Sequence, residues 1–120
     1  MSRDARPEGF SRRHRFSTRG AFGPVLRGSR KLRGRLAIMH VVPAPSQASR
    51  LGVALTRRLV PAALDRNRVK RLAREVFRRH AVKRSGLDCV IALRERFDAA
   101  QTPALRDEIR ELFDQAARLR

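Results

Sequence analysis

Cysteine is almost absent. Cys89 stands alone among 120 residues, which excludes an internal disulfide and a cysteine-built zinc site. Its neighbours from Leu87 to Leu93 are apolar, so the thiol reads as buried filler. Tryptophan and tyrosine are missing, and phenylalanine occurs six times. Any surface that stacks rings is therefore thin. No apolar run approaches the ~20 residues of a membrane span, and the charged N-terminus carries no apolar signal core. The expectation is a cytoplasmic protein with no membrane partner. Acids are scarce too, 11 against 29 lysines and arginines. They are scattered, and no spacing sets up a carboxylate pair for two-metal hydrolysis. His14, His40 and His80 are isolated from one another. No catalytic residue and no metal site is expected in the polypeptide.

What is present is positive charge. The formal net charge is +18, which leaves the fold open and points to a polyanionic partner. It is unevenly spread. Residues 95–120 hold five basic and six acidic side chains, so nearly all the excess lies before them. Only Lys31, Lys70 and Lys83 are lysines, and the planar fork of arginine suits phosphates.

Residues 1–12 lack periodicity and read as a flexible basic tail. Residues 13–120 read as a single domain, in keeping with the length. A short or irregular helix is expected before Gly28, carrying Phe22, Val25 and Leu26 inward and weakened by Gly23-Pro24. Ser29 to Gly34 is a basic connection with room for a short strand. Arg35–Val42 and Leu51–Thr56 are strands, expected as antiparallel neighbours across a Pro-rich loop. A basic helix follows. It starts either at Pro61, a good first-turn residue, or after Asp65 as N-cap, and it runs to about Lys83 with Gly86 as stop. Leu87–Arg94 is a third strand. Thr102-Pro103 opens a last helix with Leu105, Ile109, Leu112, Phe113 and Ala116 on one face.

The basic helix is the most informative stretch. Val69, Leu72, Ala73, Val76 and Phe77 recur at the spacing of one face, which docks on a core. Arg66, Arg68, Lys70, Arg71, Arg74, Arg78 and Arg79 crowd around the rest. Several sit in the first turns, where the helix dipole favours acids and each misplaced charge costs roughly 0.3–1 kcal/mol. An external anion is the simplest compensation, because arginines around a helix start make a phosphate site.

The segment Arg66-Asn67-Arg68-Val69-Lys70-Arg71-Leu72-Ala73-Arg74-Glu75 resembles the signature of the bacterial ribonuclease P protein family. Three further blocks agree in order: Arg13 to Leu26, Leu51 to Arg58, and Gly86 to Arg94. The resemblance covers about residues 12–115. It implies an α/β sandwich, a small and mostly antiparallel sheet packed with helices, with a left-handed β-α-β crossover carrying the signature helix. It implies a protein that assists removal of the 5′ leader from precursor tRNA, while a catalytic RNA performs the chemistry and mainly holds the Mg²⁺. The implied partners are that RNA and precursor tRNA, and no DNA. A helix-turn-helix reading fits poorly, since strands bracket the basic helix.

By the same resemblance Arg66, Asn67, Arg68, Lys70, Arg71 and Arg74 contact the catalytic RNA. For Asn67 a purely structural hydrogen bond in the turn is the alternative. Arg13, Arg15, Phe16, Phe22, His40, Arg57 and Arg58 match the cleft for the single-stranded leader, where rings and cations cooperate. For the phenylalanines, core packing is the alternative, and for His40 a plain strand residue is. Three features depart from the family pattern: Val60-Pro61 before the signature helix, Leu26 at a usual aromatic position, and Gly23-Pro24. A general basic RNA- or ribosome-binding protein is the competing reading from charge alone.

Overall fold

The computed structural model describes residues 30–119. Four strands form one sheet: β1 (Arg30–Arg33), β2 (Ala37–Pro43), β3 (Leu51–Ala54) and β4 (Leu87–Leu93). Helix α1 spans Ala63–Arg78 and α2 spans Thr102–Ala117, with short 3₁₀ turns at Ala81–Arg84 and Ala99–Gln101. The expected tail at 1–12, the first helix, and the site residues Arg13, Arg15, Phe16 and Phe22 lie outside the described residues.

The sheet order is β1-β2-β4-β3. β1 and β2 form a hairpin, and β2 pairs antiparallel with β4. β3 pairs parallel with β4. The expectation that β2 and β3 are neighbours is therefore wrong, because β4 lies between them. A parallel pair needs a crossover connection, and α1 is that crossover. The inner place of β4 explains its composition. Leu87 to Ile91 are all buried, as a strand covered on both faces requires.

Alternation assigns the faces. Met39 pairs with Ile91, and Ile91 with Val53, on the core face. Both helices lie on this face, because one cluster joins Met39, Cys89 and Ile91 to Val69, Leu72, Ala73 and Phe77 of α1 and to Leu105, Ile109, Leu112 and Phe113 of α2. Phe77 meets Phe113 edge to face at 5.6 Å, a favoured ring geometry. The last helix thus packs as its periodicity predicts.

Buried polar contacts fix the register. Arg50 reaches Asp88, which is 1% exposed, with Nη2 at 2.5 Å from Oδ2 and its backbone N–H donating to Oδ1. The hydrogen bond to Asp88 raises the Arg50 pKa further. Buried Ser49 donates its hydroxyl to the Val82 carbonyl and accepts from the Leu87 N–H. Together they anchor the start of β3 to β4 and to the turn before it. Glu108 of α2 accepts from the backbone N–H groups of Leu36 and Ala37 at 2.8 and 2.7 Å, tying the helix to the first residues of β2.

Both ends of α1 differ from the sequence expectation. The N-cap is Ala62, with ψ 131°, and no side chain caps the helix. Neither Pro61 nor Asp65 starts it, and Asp65 lies in its first turn. The carbonyls of Val60 and Pro61, which an earlier start would use, accept instead from Arg66 Nη1 at 2.9 Å each. The helix stops at Arg78, short of Lys83. His80 is extended at ψ 145°, and its Nδ1 accepts from the Val82 N–H at 2.9 Å to open the 3₁₀ turn. Gly86 follows at φ 74°, a left-handed conformation that favours glycine.

Candidate nucleic-acid interface

Helix α1 begins beside the carboxyl end of β3. Val53, Ala54, Leu55 and Thr56 on one side, with Arg66 and Lys70 on the other, line an open groove of about 340 Å³. The next residues, Arg57 and Arg58, are exposed on a turn that Thr56 closes by accepting the Val60 N–H on its carbonyl. Arg57, Arg58, Arg66 and Lys70, expected in two separate groups, therefore share one end of the molecule.

The signature residues divide by role. Arg66 is half-buried and fastens the lead-in through its two carbonyl contacts, so part of its job is structural. Asn67 is exposed and lies within α1. Arg68 is exposed and lies 3.6 Å from Asp65, a loose surface pair of small worth. Arg71 is exposed, while Lys70 and Arg74 are half-buried. Farther along, Glu75 accepts from both Arg78 and Arg79. The two arginines, Arg78 first, hold its carboxyl below the usual range. The free cationic character is therefore concentrated in the first half of the helix.

His40 lies elsewhere. It sits on the sheet face opposite the helices, in a cross-strand row with Lys31, Val90 and Gly52. Two strand intervals of about 4.8 Å separate it from β3. Burial lowers its pKa first, and Lys31 and Arg33 lower it further, so the ring is neutral at neutral pH.

Most described carboxylates are engaged in the fold. Asp88 holds Arg50, Glu108 holds β2, Glu75 holds Arg78 and Arg79, and Asp98 caps a 3₁₀ turn. Asp114 lies 2.6 Å from His80. Among the described residues no three of His, Cys, Asp and Glu gather as a metal centre would need, and no helix is long and apolar enough to cross a membrane.

Comparison with known proteins agrees over nearly the whole chain. The family model described as Ribonuclease P matches residues 10–117. The ribonuclease P protein component of Azoarcus sp. is 35% identical over 106 residues, 88% of each chain. That of Nitrosomonas europaea is 39% identical over 80 residues, 67% of each. Among solved structures, the ribonuclease P protein from Thermotoga maritima aligns with a TM-score of 0.70 at 26% identity, covering 84% of this chain and 96% of that one. A Staphylococcus aureus counterpart, at 18% identity and a TM-score of 0.66, shares the fold.

Proposed function

The chain belongs to the ribonuclease P protein family and is a protein subunit of that tRNA-processing ribonucleoprotein, and from this premise we propose how its residues serve the enzyme. The protein acts by binding. The catalytic RNA carries the chemistry and mainly holds the Mg²⁺, and the complex works in the cytoplasm on precursor tRNA. The observation that carries this reading is the start of α1, a helix end with no side-chain cap, ringed by Arg66, Arg68, Lys70 and Arg71. Unpaired N–H groups and the helix dipole favour a phosphate there, and the arginines add bidentate donors.

Asn67, Arg68, Lys70, Arg71 and Arg74 present the catalytic RNA with its docking edge, on a lead-in that Arg66 braces. Arg57, Arg58 and the groove above β3 receive the leader, together with His40 on the sheet face opposite the helices and Arg13, Arg15, Phe16 and Phe22. The protein thereby raises affinity for a substrate that carries a leader. Its contribution to catalysis is positioning and charge neutralisation.

The test is reconstitution of the full chain with a bacterial catalytic RNA and a precursor tRNA at low Mg²⁺. Leader removal is expected to rise well above the rate with RNA alone. Absence of stimulation sinks the proposal and leaves a general RNA-binding role.

A further inference from the structure

Register places a second group of arginines at the same end of the sheet. Arg33, Ile38, Ala92 and Ala54 form the last row that crosses all four strands. Just past it, β3 delivers Arg57 and Arg58, β4 delivers Arg94 and Arg96, and the β1–β2 turn delivers Arg35. Six arginines therefore follow the rim across three strand intervals, about 14 Å. Glu95 is the acid interspersed among them, and Glu108 is committed to the Leu36 and Ala37 N–H groups.

The rim is continuous. The Leu59 carbonyl accepts from the Phe97 N–H at 2.9 Å, which joins the loop after β3 to the loop after β4. Arg94 Nη1 donates to the Gly34 carbonyl at 2.6 Å, which joins that loop to the β1–β2 turn. Among the described residues Arg33, Arg35 and Arg96 enter no ion pair, and all three are exposed. Charges on an edge strand commonly guard against pairing with other chains, and this explains Arg30, Lys31 and Arg33 on β1. It does not explain Arg94 and Arg96, because β4 is an inner strand and has no edge to guard.

We propose that Arg33, Arg35, Arg94 and Arg96 form a distal RNA-backbone track that takes the leader beyond the groove at Arg57 and Arg58. The occupant is the single-stranded leader, because the rim runs directly out of the groove proposed for it. The proposal rests on the function proposed above. Exposed guanidinium groups would grip phosphates with little regard to base identity. The track therefore reads the length of the leader and not its sequence.

The test uses the full chain in complex with the catalytic RNA. The variant is Arg33→Gln/Arg35→Gln/Arg96→Gln, which spares Arg94 and its bond to Gly34. Precursors carry leaders of roughly 4 and roughly 12 nucleotides, spanning common single-strand site sizes. The wild-type complex should bind the longer leader more tightly. The variant should lose that advantage, roughly tenfold for three lost charges, with the long-leader salt slope flatter by about 0.7 per lost contact. Short-leader binding is the internal reference and should not change, and thermal melting of the variant should match wild type. A wild-type complex indifferent to leader length overturns the track, as does a variant equal to wild type on both precursors. An equal loss on both also overturns it, because the arginines would then touch the catalytic RNA. If wild type fails to stimulate cleavage at all, the function reading falls and takes the track with it.

Discussion

At Gly34 a side chain would collide with the fold's main helix-to-sheet tie. A Cβ there would stand 2.2 Å from Glu108 Oε2, the atom that accepts from both Leu36 and Ala37. The carboxylate terminates a flexible side chain, but it is held by two hydrogen bonds. Gly34→Ala is expected to displace it and to cost about 1–3 kcal/mol, the range for leaving part-buried donors unmet. Glu108→Ala should cost a similar amount. The double variant should cost little more than either alone, because both remove the same contact. Chemical denaturation of the four proteins checks this, and additive losses would show that Gly34 matters for another reason. At Cys89, burial and the neighbouring Asp88 push the thiol pKa up to about 12, and reactivity follows the thiolate. A thiol reagent at pH 8 should modify the native protein only as fast as it unfolds. Rapid native labelling would contradict the burial. The sequence already marked Cys89 as core, because its apolar neighbours are visible in one window.

On the scale of elements, α1 separates structural from binding charge. Arg66→Ala removes the donor to the Val60 and Pro61 carbonyls and should cost about 1 kcal/mol of stability. Arg68→Ala removes only a loose surface pair, so stability should move by less than about 0.5 kcal/mol. Its affinity for the catalytic RNA should still fall, with a salt slope flatter by about one unit. Equal stability losses in the two variants would refute this division. Periodicity revealed the buried face of α1 and three of the four strands, because those signals repeat within a few residues, while the basic β1 carries no apolar alternation and reads only as a connection with room for a short strand. It did not reveal that β4 divides β2 from β3, because strand partners are chosen by contacts between distant segments. The ends of α1 were also illegible. An arginine side chain occupies the carbonyls before the helix, and a histidine ring caps the turn after it, and neither residue is a usual capping signal. Ser49 and Asp88 gave no hint of their buried bonds for the same reason, since each is defined by partners more than thirty positions away. In the candidate interface, the basic residues were legible as types. Their assembly along one sheet end required the parallel pairing of β3 with β4.

For the whole molecule, the excess of 29 basic over 11 acidic residues opposes compaction through self-repulsion. The described acids before residue 95 are already matched, since Asp65 meets Arg68, Glu75 meets Arg78 and Arg79, and Asp88 meets Arg50. The fold therefore has little internal means of neutralising the α1 start and the rim. Bound anions should supply it, and they stabilise by mass action if they favour the folded state, where those charges are gathered. Dilute pyrophosphate, at constant ionic strength, is expected to raise the melting temperature saturably. A gain of about 1 kcal/mol corresponds to roughly 4–8 °C for a domain of this size. Sulfate at high concentration also stabilises by exclusion from protein surfaces, so the dilute, saturable regime is the discriminating one. Sucrose at equal dilution should do nothing. Arg68→Ala combined with Arg71→Ala should reduce the pyrophosphate gain while leaving the response to concentrated sucrose intact. A gain that never saturates, or one unchanged in that variant, would mean that the charge is relieved by general screening and that the α1 start holds no anion of its own.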